Sequence, residues 1–179
     1  MAIIARKEKS NFTPTPKGLW PGVCCDVVDL GIVPGEWGPK HKIQIKWLVE
    51  AKPPRIDGKP YMVSKKYTLS LHEKANLRIM LETWGQKEMT PKQLEEFDVE
   101  GVVGTPCQIQ VAEGIGDDGP FSFPQVVLKA NGAKRIEIPK EYVRVKDRPD
   151  YKQPAVAATE EPEYVEDTKY QATDDDCPF

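Results

Sequence analysis

Histidine and cysteine are scarce in this chain of 179 residues, which has two histidines and four cysteines. No apolar run approaches the ~18 residues that a membrane-spanning helix needs. Residues 1–12 also lack the apolar stretch and small-residue cleavage site of a secretory signal. We therefore expect a protein that stays in a cytoplasm, has no membrane partner and keeps its thiols reduced.

Motifs that carry catalysis are missing as well. His41 and His72 fall at a predicted strand start and a predicted helix start, and neither has a second histidine four residues away, as a metalloprotease helix would require. The chain has no phosphate-binding G-x-x-x-x-G-K-[ST] loop and no G-x-S-x-G nucleophile elbow. Asp117 and Asp118 lie between glycines, which is typical of a turn. We expect no catalytic residues and no enzyme activity.

The cysteines do not have the spacing of a metal site. Cys24 and Cys25 are adjacent on a predicted strand, so they should point to opposite faces, while Cys107 and Cys177 are isolated. We expect no structural zinc, no other metal and no cofactor.

Charge is divided unevenly along the chain. The formal net charge of −3 argues against a nucleic-acid partner. Residues 149–179, however, contain two basic and nine acidic residues, which leaves 23 basic and 19 acidic residues in 1–148. A basic body with an acidic tail is typical of a protein that binds a polyanion and carries a solvated interaction tail.

Alternating apolar and polar residues predict five strands, bounded by turns rich in glycine and proline. The predicted strands are 18–31, 41–50, 61–71, 102–113 and 121–130. Lys65 breaks the alternation of the third strand, because it falls on the apolar side. A bulge or a strand end would turn it toward solvent.

Two helices are predicted between the third and fourth strands. Ser70 and Glu73 form a capping-box pattern ahead of a helix with apolar residues at helical spacing that ends at Gly85. Thr90, Pro91 and Gln93 are typical of the start of a second helix, which should reach Phe97.

The predicted element order favours a mainly β chain with the topology of an OB-fold, a five-stranded, partly open Greek-key barrel that binds oligonucleotides on strands 2 and 3 and nearby loops. Residues 133–146 should add either a short edge strand or an extended arm. Residues 1–17 are interpreted as a basic arm, 18–148 as the barrel domain, and 149–179 as a disordered acidic tail.

Lysines and aromatic residues alternate along the predicted second and third strands and their loops. Single-stranded nucleic acid is bound by cations along the backbone and by rings on which bases stack. The candidate residues for such a site are Trp37, Lys40, Lys42, Lys46, Tyr61, Lys65, Lys66, Tyr67, Phe121 and Phe123. A core position is favoured for Tyr67, and also for Trp47 in the second strand, because both are in phase with apolar neighbours.

The end of the chain reads DDDCPF and places three carboxylates before an apolar tip. A partner with an apolar pocket rimmed by Arg or Lys could bind it. The candidate partner-binding residues are Asp174, Asp175, Asp176, Cys177, Pro178 and Phe179. The alternative is an acidic tail that only keeps the protein soluble.

The tip resembles the C-terminal tail of bacterial single-stranded DNA-binding proteins, which end in an Asp-rich run, an apolar residue, Pro and Phe, with Cys177 in the position usually held by isoleucine. The stretches VVDLG (27–31), GPKHKI (38–43) and VSKKYTLSLHEKANLR (63–78) resemble a phage and prophage family of OB-fold single-stranded DNA-binding proteins. The resemblance implies a bacteriophage protein of DNA replication or recombination that works in the bacterial host cytoplasm.

Together these features predict a sequence-nonspecific single-stranded DNA-binding protein. The body would protect the strand, and the tip would recruit host or phage replication and repair proteins. The alternative is an adaptor whose barrel binds protein and whose tail tethers a host factor or mimics DNA. Homo-oligomerisation is left open by the sequence.

Overall fold

The structure is a computed structural model that describes residues 13–35, 38–116, 119–132 and 135–154. Within these ranges the chain is mainly β. Its strands are β1 (Gly18–Val33), β2 (Lys40–Val49), β3 (Tyr61–Thr68), β4 (Pro106–Gly116) and β5 (Gly119–Lys129). The helices are α1 (Asn76–Gly85) and α2 (Pro91–Glu95), followed by 3-10 turns at Val99–Val102 and Val145–Asp147. None of the helices in the described part is long and apolar enough to cross a membrane.

The five strands form one antiparallel sheet in the order β3-β2-β1-β4-β5. Residues of the two edge strands, β3 and β5, approach within 8 Å of each other between Cα atoms, and α1 packs against both. The sheet therefore curls around a core instead of lying flat. The existence and order of the five predicted strands and of the helices between the third and fourth are confirmed. The third strand ends at Thr68 instead of Leu71, and the fourth begins at Pro106 instead of Val102.

Alternation along β2 produces the main core, as the sequence predicts. Ile43, Ile45 and Trp47 are buried on one face, and residues from α1 pack against them. Trp47 is fully buried, and its ring meets that of Trp84 edge to face, with centroids 6.3 Å apart. Aromatic pairs of this geometry add about 1 kcal/mol beyond the area they bury.

The capping box predicted at the start of the first helix is wrong. Helix α1 begins at Asn76, its N-cap is Ala75, and no side chain caps it. The Ser70 hydroxyl instead accepts a hydrogen bond from the His72 N–H at 3.3 Å, so it closes a local turn before the helix. The capping box is found on α2, between Thr90 and Gln93. That helix ends at Glu95, two residues earlier than predicted.

Strand β1 is buried on both faces. Its pairing with β2 shifts between Cys24 and Asp26, so Cys25 is the extra residue of a bulge. Cys24 packs in the main core, whereas Cys25 lies on the other face with Val23 and Leu48. The opposite orientation predicted for the two cysteines is therefore confirmed.

Residues 135–148, which we call the strap, cover this second apolar cluster. Ile136, Ile138 and Tyr142 pack against it. Of the two forms predicted for residues 133–146, the described part takes that of an extended arm, and it forms no strand.

A buried carboxylate fastens the strap to the sheet. Asp26 is fully buried. One of its oxygens accepts a hydrogen bond from the Arg144 guanidinium at 3.1 Å, and the other accepts from the Val145 N–H at 2.8 Å and the Tyr142 hydroxyl at 3.3 Å. Arg144 also pairs with Glu100 at 3.3 Å. Because a buried charge is tolerated only when it is paired and hydrogen-bonded, the strap is required by the sheet that it covers.

We expect Arg144→Ala to lower the free energy of unfolding by about 2 kcal/mol, because the mutation leaves Asp26 buried without its cation. Urea denaturation measures this change. The matched control is Arg148→Ala, which removes an exposed hydrogen bond to the Val143 carbonyl at 3.3 Å and should have an effect within ~0.5 kcal/mol of zero. Equal destabilisation of both variants would contradict the role given to Asp26.

Candidate nucleic-acid interface

The pairing of β2 with β3 collects three lysines on the outer face of the sheet. Residues directly opposite each other in an antiparallel pair share a face. Lys42 lies opposite Thr68, Gln44 opposite Lys66, and Lys46 opposite Ser64. These side chains point away from the core, because Ile43 and Ile45 occupy the alternate positions. The Gln44 amide donates to the Ser64 hydroxyl at 3.0 Å and joins the two strands across this face.

A basic cleft lies at one end of this face, where β2 begins, β3 ends and the chain turns into α1. Five lysines and a histidine line it together with small polar groups. The lining residues are Lys40, Lys42, Lys65, Lys66, Tyr67, Thr68, Ser70, His72, Lys74, Ala75 and Asn76.

No carboxylate is among the residues that line the basic cleft. Its lysines also form no ion pair with any residue that the structure describes. Lys40, Lys66 and Lys74 are exposed, and Lys42 and Lys65 are half-buried. Because these cations are not neutralised within the described chain, the cleft offers several positive charges and polar hydrogen-bonding groups to an anionic ligand.

Lys65 lines this cleft, although β3 has no bulge of the kind that its position in the sequence suggested. The pairing of β2 with β3 has no register shift, and Lys65 lies opposite Ile45 on the inner face. It is tolerated there because β3 is an edge strand. Its ammonium group lies 5.7 Å from the centroid of the Tyr67 ring, in the gap between β3, α1 and β5. Tyr67 is 4% exposed, and its burial raises the pKa of its hydroxyl.

His41 sits next to the cleft and is held by a carboxylate. Its Nε2 lies 2.6 Å from the Asp29 side chain, which also accepts the Gly31 N–H at 2.7 Å. This contact ties the start of β2 to the end of β1, on either side of the turn that leads to Lys40 and Lys42.

Tyr61 lies apart from the cleft, at the opposite end of β3. It is 4% exposed, its hydroxyl donates to the Pro53 carbonyl at 3.1 Å, and Arg55 lies over its ring. The Tyr61 side chain thus packs in the core and contacts the neighbouring turn. We therefore remove Tyr61 from the candidate interface, because a ring covered in this way offers no face to a base.

Phe121 and Phe123 are adjacent on β5, with ring centroids 5.7 Å apart. Phe121 is 44% exposed. Neither residue lines the basic cleft. They stand on a part of the sheet formed by β4 and β5, at the β4–β5 hairpin.

Several predicted site residues lie outside the described residues. These are Trp37 in the loop between β1 and β2, and the tip Asp174, Asp175, Asp176, Cys177, Pro178 and Phe179. The glycines that flank the Trp37 turn are described, and the Gly38 N–H donates to the Gly35 carbonyl at 3.1 Å.

The sequence reasoning missed part of the cleft. His72 and Lys74 line it from the turn before α1, and Asn76 lines it from the first position of that helix. The signal for them was the run of polar residues between the third strand and the first helix, which the capping-box interpretation assigned to the helix itself. Since the helix begins only at Asn76, this segment faces the cleft instead.

The buried thiols are unsuited to nucleophilic or metal chemistry. Burial raises the pKa of Cys25 to about 11 and that of Cys107 to about 12, so both are protonated at neutral pH. Burial also raises the pKa of Cys24. Among the described residues there is no group of three His, Cys, Asp or Glu side chains that could hold a metal ion.

Comparisons of this chain with protein-family models, with curated proteins and with solved structures found no match.

The buried position of Tyr61 can be tested directly. We expect Tyr61→Phe to lower the free energy of unfolding by about 1 kcal/mol, because the hydrogen bond to Pro53 is removed, and to leave affinity for a single-stranded oligonucleotide unchanged. Thermal denaturation and a fluorescence titration measure the two quantities. A marked drop in affinity in a variant that keeps its fold would return Tyr61 to the interface.

Proposed function

We propose that this protein binds single-stranded DNA with little sequence preference. The observation that carries the proposal is the basic cleft, in which five lysines without described acidic partners converge at the ends of β2 and β3. Lys46 extends the same positive charge along the outer face of β2. Single-stranded nucleic acid is bound by such grooves, which follow the phosphate backbone.

The strand order supports the proposal of an OB-fold. In that fold a five-stranded barrel binds oligonucleotides on the face of strands 2 and 3 and on the loops that flank it. Here Lys42, Lys46 and Lys66 occupy that face, and Lys40, the first residue of β2 after the loop from β1, lines the cleft. Trp37 belongs to the same loop, and we propose that it stacks on a base.

Lack of sequence preference follows from the chemistry of the groups. Lysine ammonium groups contact phosphates and carry no information about the base. Thr68, Ser70 and Asn76 add short polar contacts in the cleft. The described part of the cleft has no arginine that could form a paired contact with a base edge.

The acidic tail starts beside the outer face of β2 and β3. Tyr151 and Gln153 lie against Val27, Val28 and Asp29 of β1. Val28 pairs with Gln44, which lies between Lys42 and Lys46 on the outer face of β2 and β3, here called the lysine face. The part of β1 beside the start of the tail is therefore one strand spacing, ~5 Å, from this face and two spacings, ~10 Å, from Lys66. We propose that the carboxylates of residues 155–179 compete with phosphates for the lysines.

The tip supplies the second part of the proposal. We propose that residues 174–179 recruit host or phage replication and repair proteins, and that the protein acts in phage DNA replication or recombination in the bacterial cytoplasm. Support for this part comes from the sequence of the tip and from the resemblance of its residues to bacterial single-stranded DNA-binding proteins.

An adaptor that binds protein through its sheet is the alternative from another class. A small apolar pocket of about 250 Å³ favours it, since Leu81, Trp84, Met89 and Phe97 line this pocket at the far end of α1 from the basic cleft. An apolar pocket suits a protein side chain better than a phosphate.

We expect charge reversal of Lys42, Lys46 and Lys66 to glutamate to weaken binding to oligo(dT) by about tenfold or more. The dependence of log affinity on log salt should become shallower by about 0.7 for each phosphate that the protein no longer neutralises. Fluorescence titrations at several salt concentrations measure both effects.

The matched control reverses three exposed lysines away from the cleft, Lys87, Lys92 and Lys140, and so changes the net charge equally. This variant should keep the wild-type salt slope. If wild-type protein showed no salt-sensitive binding to oligo(dT), or preferred a duplex, the proposed function would be wrong. Unchanged affinity in both variants would favour the adaptor.

We expect deletion of residues 174–179 to abolish recruitment of a partner and to leave DNA affinity equal or higher, because fewer carboxylates compete for the lysines. Oligo(dT) titration at low salt measures the affinity. Replacement of Asp174, Asp175 and Asp176 by asparagine separates charge from length. Substantially weaker DNA binding after the deletion would contradict competition by the tail.

A further inference from the structure

The outer surface formed by β4, β5 and the start of β1, outside the part of β1 that the strap covers, differs sharply from that of β2 and β3, because it is uncharged. The register of these strands places ten residues on this surface, which we call the neutral face. They are Leu19, Pro21, Gln108, Gln110, Ala112, Gly114, Phe121, Phe123, Val126 and Leu128. In a chain with 30% charged residues, a three-stranded surface without a single charge needs an explanation.

Large apolar side chains of the neutral face are open to solvent. Leu19 is 48% exposed, Phe121 is 44% exposed and Val126 is 38% exposed. The far end of the Phe121 ring lies over Gly114, where an added Cβ would be 2.7 Å from it, so the glycine makes room for the ring. The strap packs beside this face, against the apolar cluster of Val23, Cys25 and Leu48. Exposed apolar side chains gathered on one face in this way are typical of an interaction site.

The chemistry of the neutral face limits what can cover it. A nucleic acid would need cations here to neutralise phosphates, and a strongly charged protein would need charges of the opposite sign. A second copy needs neither, because a two-fold contact sets the same surface against itself and brings no like charges together. Gln110 lies at the middle of the face, opposite both Leu19 and Val126, and its amide can donate to and accept from its own copy.

The edge of β5 points to face packing instead of strand addition. Pro120 and Pro124 lie on this edge strand and have no N–H to offer to another strand. We propose that the protein forms a homodimer in which the neutral faces of two copies pack against each other. The neutral face is three strands wide and about seven residues long, which corresponds to about 300 Å² on each copy. This area is less than half of the ~800 Å² that each partner buries in a standard interface, so we expect dimerisation to be weak and to depend on concentration.

Sedimentation velocity of the full chain, from micromolar concentrations upward, tests the proposal. The wild type should pass from monomer to dimer across the series. Gln110→Glu and Gln110→Lys each place like charges across the two-fold contact and should raise the concentration of half-dimerisation by about tenfold. An equal mixture of the two variants should restore association, because opposite charges then meet.

Gln44→Glu is the matched control. Gln44 is also a half-buried glutamine in the middle of a strand, but it lies on the lysine face. Gln44→Glu should weaken oligo(dT) binding and leave the mass measured by sedimentation unchanged. Gln110→Glu should lower the measured mass and leave oligo(dT) binding unchanged. The proposed function and the dimer can therefore fail separately.

Two results would overturn the dimer. One is a wild type that stays monomeric up to its solubility limit. The other is a Phe121→Ala, Phe123→Ala variant that keeps the wild-type mass at every concentration but loses oligo(dT) affinity. That outcome would assign the neutral face to base stacking.

Discussion

The structure depends on a central strand that is buried on both faces. Seven consecutive residues of β1, from 22 to 28, are buried, and this strand pairs with both β2 and β4. A strand in this position needs a layer on each side. The helix α1 and the alternating strands supply one layer, and the strap supplies the other. The bulge at Cys25 changes which face of the sheet the following side chains enter. Neighbouring residues of β1 can therefore pack against both layers.

The buried carboxylate of Asp26 makes the second layer specific. An apolar strap alone could slide along an apolar strand, but three donors from Tyr142, Arg144 and Val145 meet one carboxylate. Glu100 extends this contact to the 3-10 turn before β4 through Arg144 and through Lys146, whose ammonium group lies 2.7 Å away. One consequence is that Tyr151 and Gln153, in the first part of the acidic segment, lie beside β1 and close to the lysine face.

Two outer surfaces of one sheet have opposite characters. The face of β2 and β3 carries lysines, and the face of β1, β4 and β5 carries none. Both arise from the same two-residue period, which sends every second side chain outward. Different partners suit the two surfaces, because lysines attract phosphates whereas an uncharged surface gains most from contact with another apolar surface.

Much of the fold follows from alternation in the sequence. The pattern from Lys42 to Val49 predicts which residues enter the core, since burial of apolar side chains dominates folding and the strand period allows only one assignment. The start of α1 could not be predicted in this way. Ser70 and Glu73 have the spacing of a capping box, but the Ser70 hydroxyl accepts a hydrogen bond in a turn before the helix. The same spacing is therefore compatible with two different local structures.

The candidate site was predicted in part. Lys40, Lys42, Lys65 and Lys66 do meet in one cleft, because pairing of neighbouring strands is a short-range property that the sequence carries. Tyr61 and Phe121 do not join them. Whether an aromatic ring is available to a ligand depends on what lies over it, and that depends on residues distant in the chain.

By itself, the sequence determined the strands, the inward and outward residues and the separation of a basic body from an acidic tail. These depend on the properties of neighbouring residues and on a fixed period. Only the tertiary structure decided that His72 and Lys74 join the lysines, that the strap seals β1 through Asp26, and that a second outer face has no charge. Each of these results from the packing of segments far apart in the chain, which no local pattern encodes.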